Sequence, residues 1–255
     1  AQRTLTLILL AKLNHHTLAY DNGVGRTPAM GFNTWNAFRC DISDEIVLDV
    51  ARAIVDTGLR DAGYLYVNID DCWMEKRDDA GHIVPDAKRF PRGMKALADD
   101  IHALGLRFGV YSDAGNFTCE GLPGTLGHEA IDARDYASWG VDYVKFDYCA
   151  MDRAAKRPRY YYERMRDALN ATGRPMLSSI CSWGIAAVHT WGREVGHSWR
   201  TGRDLFAVWD EYTARKELKL PGFLQSVTTA IEQQAARAPV RGAMELGGRE
   251  DIVQP

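Results

Sequence analysis

The sequence predicts an α/β fold built on a parallel sheet, of the single-barrel type, and three observations carry that prediction. Short apolar runs alternate with amphipathic segments from about residue 28 to residue 204. Most of the amphipathic segments stop at a glycine, which gives the rhythm of strands joined by crossover helices. The length of 255 residues matches the roughly 250 that one (β/α)8 barrel needs. The composition, 46% hydrophobic and 25% charged, excludes collagen-like, coiled-coil and disordered chains. A net charge of −3 gives no basic excess, so nucleic acid is not expected as a partner. No apolar run approaches the ~18 residues of a membrane span.

The elements follow in order. Arg3 precedes an apolar run from Leu5 to Ala11, and small or apolar residues continue to Leu18 and Ala19. Residues 1–20 therefore read as a secretory leader, which places the chain in a secreted, extracellular or lysosome-like compartment. The first strand is predicted over Ala29–Trp35. A helix is predicted over Ser43–Gly58: Ser43 can cap it, Asp44 and Glu45 suit its positive end, and Ile46, Val47, Val50 and Ile54 form its apolar stripe. Further strands are predicted over Tyr64–Asp70, Phe108–Asp113, Tyr143–Tyr148, Met176–Cys181 and His197–Thr201. Helices are predicted over Met94–Leu104, Ala130–Trp139 and Tyr160–Leu169, followed by Gly105, Gly140 and Gly173.

The strand ends carry the chemistry. Three apolar runs turn abruptly acidic, at Asp70-Asp71, at Asp113 and at Asp147. Side chains alternate along a strand, so Lys145 shares a face with Asp147, and Asn68 with Asp70. In a barrel these ends converge on one mouth, here rich in carboxylates, with Trp35, Trp73 and Tyr111 nearby. The histidines are scattered and no Cys-x-x-Cys occurs, so neither a metal nor a cofactor is implied. Carboxylates bind hydroxyls and aromatic faces stack on C–H surfaces, which suits a sugar ring. Glycoside hydrolysis needs two carboxylates flanking one bond. Of the five cysteines, four could pair in an oxidising compartment and one would be left free.

The stretches RTPAMGFNTWNAF, NIDDCW, RFPRGMKALADDIHALGLRFGVYSDAG, TCEGLPGTLGHEAIDARDYASWGVDYVKFDYC, SSICSWG and VGHSWRTGRD resemble glycoside hydrolase family 27, the α-galactosidase or melibiase family. The resemblance implies a (β/α)8 barrel followed by a small β-sandwich, acting on terminal α-linked galactose. It implies that Asp147 is the catalytic nucleophile and Asp204 the general acid/base. It places Trp35, Asp70, Asp71, Tyr111, Lys145, Cys181, Trp183 and Arg200 in the sugar pocket. It pairs Cys40 with Cys72 and Cys119 with Cys149, leaving Cys181 free. The implied reaction is a double displacement with retention, for which the two carboxyl groups stand about 5–5.5 Å apart. Lys145 is expected to favour the anion of Asp147. Asp204 must enter the reaction protonated, which calls for burial or a neighbouring like charge. Cys181 and Trp183 beside C2 favour galactose over its 2-acetamido analogue.

The resemblance runs from about Asp21 to Asp210 and has departures. Phe32 replaces a tryptophan, and Arg203 stands directly before the acid/base. The Asp-Pro-Asp motif of the family's seventh strand is absent. The expected organisation is therefore a leader over 1–20, a partial barrel of about six βα units over 21–220, and an atypical tail over 221–255 without the eighth strand or the sandwich. The first and sixth strands are expected to lack the partners that close a barrel. Phe223–Ala238 in the tail is expected to form a helix. Alternatives to an active α-galactosidase are an inactive or weakly sugar-binding relative and an α-N-acetylgalactosaminidase.

Overall fold

The computed structural model describes residues 20–151, 157–222, 224–236 and 249–251. Apart from Tyr20, the predicted leader lies outside the described residues. The elements are β1 (Gly31–Asn33), α1 (Trp35–Phe38), α2 (Asp44–Asp56), β2 (Tyr66–Asn68), β3 (Met74–Arg77), β4 (Ile83–Pro85), α3 (Gly93–Ala103), β5 (Arg107–Asp113), α4 (Glu129–Trp139), β6 (Tyr143–Asp147), α5 (Pro158–Ala171), β7 (Leu177–Ile180), β8 (Ser198–Arg200), β9 (Asp204–Leu205), β10 (Leu224–Gln225), α6 (Val227–Ala236) and β11 (Arg249–Asp251). Every strand and helix predicted above is present, trimmed or shifted by a few residues at its ends.

The main sheet is parallel throughout, in the order β1-β2-β5-β6-β7-β8-β11. Its first six strands curl as part of a (β/α) barrel. The seventh corrects the expectation for the sixth strand. β11, from the tail, pairs with β8 in the register Ser198↔Arg249 to Arg200↔Asp251. Backbone donors along β8 thus find a neighbour that hydrophobic patterning did not reveal.

Alternation builds the interior in layers. Phe146 packs edge-on against Tyr162 of α5, so even-numbered positions of β6 face the helices. Tyr143, Lys145 and Asp147 therefore face inward. Tyr66, Tyr143 and Leu177 form a small apolar plug at one end of the barrel. Polar residues occupy the same strand faces toward the other end, where Asn68, Lys145 and Ser179 are all buried. Gly109 is required beside Asn68, because a Cβ there would stand 1.9 Å from Asn68 Oδ1. On the helix side, Val67, Ile69, Phe108, Val110, Val144 and Ile180 join Leu97, Ile101, Tyr136 and Met165 in the main core.

The helix ends follow local chemistry. The Ser43 hydroxyl accepts from the Ile46 amide at 3.3 Å, and Asp44 and Glu45 occupy the first turn of α2. Ser43→Ala is expected to lower unfolding free energy by about 1 kcal/mol in urea titration, without changing activity. Gly140 ends α4 in the left-handed region at φ 84°.

The antiparallel hairpin β3–β4 was absent from the sequence reading. Its strands are three or four residues long and carry Glu75, Lys76 and Arg77, so apolar alternation is weak. Its turn is set by Asp78, whose Oδ1 accepts from the Ala80 and His82 amides. Among the described residues, no helix is long and apolar enough to cross a membrane.

Candidate active site

Asp70 follows β2, Tyr111 lies on β5, and Lys145 and Asp147 lie on β6. Cys181 follows β7, and Arg200 ends β8. Register sets Tyr111 beside Lys145 and Asp113 beside Asp147. These strand ends bring the predicted residues into one connected group.

Lys145 Nζ donates to Asp70 Oδ2 at 2.7 Å, with both side chains almost fully buried. Asn33 Nδ2 donates to the same oxygen at 2.8 Å, while Asn33 Oδ1 accepts from the Trp35 amide at 2.9 Å. Asn33 thereby links the half-buried Trp35 to the carboxylate group. Asp71 Oδ1 accepts from the Cys72 amide at 2.7 Å, and its Oδ2 from the Glu120 amide at 3.1 Å. Tyr111 donates its phenolic proton to Asp147 Oδ2 at 3.2 Å, and Lys145 Nζ lies 5.3 Å from the centre of its ring. Asp147 Oδ1 accepts from the Tyr148 amide at 2.8 Å.

Beyond Asp147 the group continues through the buried Cys181 thiol to Arg200, whose Nη1 lies 3.6 Å from Sγ. The same Nη1 donates to Asp204 Oδ1 at 2.6 Å. Trp183 is half-buried, and the next residue, Gly184, donates its amide to the Arg200 carbonyl at 3.2 Å.

Burial dominates the electrostatics. It pushes the Asp71 carboxyl up to about 6, against the amides that donate to it. Burial, then repulsion from Asp147, pushes Asp113 up to about 7. Asp147 is also held above the usual carboxylate range by burial, with Lys145 the largest opposing influence. This revises the sequence expectation: Lys145 does favour the anion of Asp147, but its direct ion pair is with Asp70, and burial outweighs it. Burial works against the charge of Lys145, yet Asp70, Cys181 and Asp147 together hold its pKa above the ordinary lysine value. Burial also raises the Cys181 thiol.

Asp204 differs from expectation. Its side chain is 55% exposed and paired with the Arg200 guanidinium, rather than buried or set beside a like charge. The reason is local: Asp204 begins β9, a two-residue strand at the rim, rather than continuing β8 into the barrel.

Asp113 and Asn33 were not among the predicted site residues. Asp113 Oδ1 accepts from the Gly115 amide at 2.7 Å and its Oδ2 from the Cys149 amide at 2.6 Å, tying together the loops after β5 and β6. Its shared face with Tyr111 was a usable signal. A carboxyl raised by folding binds its proton more tightly in the native state, so its contribution to stability declines as pH rises from about 4 to about 7. The Tm of Asp113→Asn relative to the unsubstituted protein is accordingly expected to improve between pH 5 and pH 7.5. Parallel melts at the two pH values check this.

Cys40 is joined to Cys72, Cys119 to Cys149, and Cys181 is free, as the resemblance implied. Asp113, Cys119, Asp147 and Cys149 lie close enough together to suggest a metal cluster. Both sulfurs are spent in the disulfide, so that donor set does not fit a metal.

Comparison with known proteins gives a consistent answer. The family profile described as alpha galactosidase A matches residues 27–222. The alpha-galactosidase A of Cellvibrio japonicus is 52% identical over 187 residues, covering 73% of this chain and 46% of that protein. A probable alpha-galactosidase of Dictyostelium discoideum is 45% identical over 251 residues, covering 98% of this chain and 59% of that protein. The alpha-galactosidase of Saccharomyces cerevisiae solved with raffinose superposes with a TM-score of 0.80 at 37% identity, covering 91% of this chain and 53% of that one. The chain thus spans about half the length of these relatives.

Proposed function

The chain belongs to the alpha galactosidase A family, glycoside hydrolase family 27, and on that premise we propose that it acts as a retaining α-galactosidase on terminal α-linked galactose. The observation that carries this reading is Asp147 at the inward end of β6, contacted by Tyr111 and joined through Cys181 and Arg200 to a second carboxylate, Asp204.

In this reading an Asp147 oxygen attacks the anomeric carbon as the bond to the leaving oxygen breaks. Asp204 gives that oxygen its proton. A covalent galactosyl ester forms on Asp147. Water then attacks the same carbon, Asp204 takes its proton, and Asp147 leaves as a carboxylate. Lys145 and Arg200 offset the burial that opposes the charged nucleophile. A bound sugar that displaces water from Asp204 supplies the desolvation its exposed position lacks.

Asp70, Asp71 and Lys145 are arranged to accept and donate hydrogen bonds to ring hydroxyls. Trp35 offers a half-exposed aromatic face, the buried Tyr111 acts through its hydroxyl on Asp147, and Cys181 and Trp183 set the room beside C2. The two disulfides support a secreted or otherwise oxidising location. The proposed organisation keeps a leader over 1–20, a catalytic unit over 21–220 and a distinct tail over 221–255. No metal or cofactor enters this scheme.

Release of 4-nitrophenol from its α-galactoside tests the proposal, with Asp147→Asn and Asp204→Asn as controls. Turnover lost in both variants supports it. Turnover unchanged in either one removes that residue from its role.

A further inference from the structure

The loop that carries Asp204 is gripped by residues just past the family-profile match, which ends at Gly222. β9 and β10 pair in parallel, with Asp204 opposite Leu224 and Leu205 opposite Gln225. Gln225 is buried. Its side-chain oxygen accepts from the Arg203 amide at 3.3 Å, and its carbonyl accepts from the Phe206 amide at 3.0 Å. One residue thus holds the backbone on both sides of Asp204. The Arg203 guanidinium also donates to the Gly222 carbonyl. Gly202 is packed against the same tail: a Cβ there would stand 2.3 Å from Gln233 Oε1 and 2.8 Å from Gln225 Nε2.

Asp204 has no comparable support from its own side. It is half exposed, and among the described residues its side chain pairs with Arg200 alone. A carboxyl at the rim of a barrel cannot be held by the core, so its position depends on the backbone that presents it. An error of about 1 Å in such a group can cost on the order of 10²-fold in rate.

We infer that Gln225 is a positioning residue that seats the Asp204 loop, with the β10 strand supplying a support for the acid/base. The inference rests on the reading of Asp204 as the acid/base. Gln225 itself touches no reacting atom in this account. It acts through the main chain of Arg203 and Phe206.

The test uses the full chain and the Gln225→Ala variant with two substrates. Melibiose has a poor leaving group and needs the acid. 2,4-Dinitrophenyl α-galactoside leaves without protonation. The expected result is a loss of about tenfold or more in kcat/KM on melibiose, with less than about a twofold change on the dinitrophenyl substrate, because general acid catalysis supplies about 10²–10⁴-fold only where a proton is needed. Gln225→Glu, which keeps the accepting oxygen, is expected to recover most of the melibiose activity. Equal losses on both substrates, or none on either, would overturn the inference.

Amide hydrogen exchange reads the same contact without turnover. Gln225→Ala is expected to speed exchange at Arg203 while β6 amides stay protected, and unchanged exchange at Arg203 overturns the inference. If the unsubstituted chain and Asp204→Ala are equally inactive on both substrates, the functional reading fails. The exchange experiment still decides the role of Gln225 in seating the loop.

Discussion

Asp147→Asn is expected to lower kcat on an aryl α-galactoside by about 10⁴-fold or more, as loss of an essential nucleophile does. The fold should survive the change. Asp147 is buried at the end of β6, where desolvation disfavours its charge. A neutral amide of the same shape removes that penalty, so the melting temperature at neutral pH is expected to stay level or rise. The sign follows from the direction of the shift. A carboxyl raised by folding weighs against the native state once pH exceeds its native pKa, and Asn carries no such burden. A variant that is inactive and unfolded would leave the nucleophile undistinguished from a packing residue, so thermal melts accompany the kinetics.

Lys145→Ala has the largest expected effect on stability, a loss of about 3–5 kcal/mol in urea unfolding. Its ammonium and the Asp70 carboxylate form a pair with 6% and 3% of their side chains exposed. Among the described residues, removing the cation leaves Asp70 with Asn33 as its remaining side-chain donor at a buried position. Folding raises the Lys145 pKa, so its contribution is fully present below the ordinary lysine range and is lost only as pH rises through the native value. Unfolding at pH 6 and pH 8 should therefore give the same loss. A loss below about 1 kcal/mol would mean that the pair behaves as an exposed one.

Much of this architecture was legible because barrel strands announce themselves. Tyr143–Asp147 is buried along its whole length, and its apolar run ends in two charges two residues apart. Inward-facing positions near a mouth account for a lysine and an aspartate there, and the same acidic ending on successive strands favoured that reading over an edge-strand charge or a helix cap. Ser43, Gly105 and Gly140 marked helix ends by chemistry that operates within a few residues. The β3–β4 hairpin was not legible, because four residues bearing three charges carry little periodic signal.

The site divided in the same way. Residues on regular strands or directly continuing them, Asp70, Tyr111, Lys145 and Asp147, could be placed by alternation alone. Asp204 could not, because its environment depends on where the loop after β8 turns and on what packs against it. The supporting segment, Leu224–Gln225, is two residues long and pairs with a strand as short. β11 is likewise three residues, found only through its pairing with β8. Contacts between such short pieces are tertiary facts with no local pattern to betray them. Asp113 was visible as one more acidic strand end, but its job of joining two loops lies in backbone amides of Gly115 and Cys149, which no side-chain pattern reports.

The central claim is a double displacement through Asp147, and the stereochemistry of the first-formed sugar tests it most directly. Proton NMR of early hydrolysis of 4-nitrophenyl α-galactoside distinguishes the two anomers of galactose before they equilibrate. The account predicts that α-galactose appears first and the β-anomer only later by mutarotation. β-Galactose appearing first would mean single displacement by water and would contradict a covalent intermediate on Asp147, as would a folded protein that releases no galactose at all.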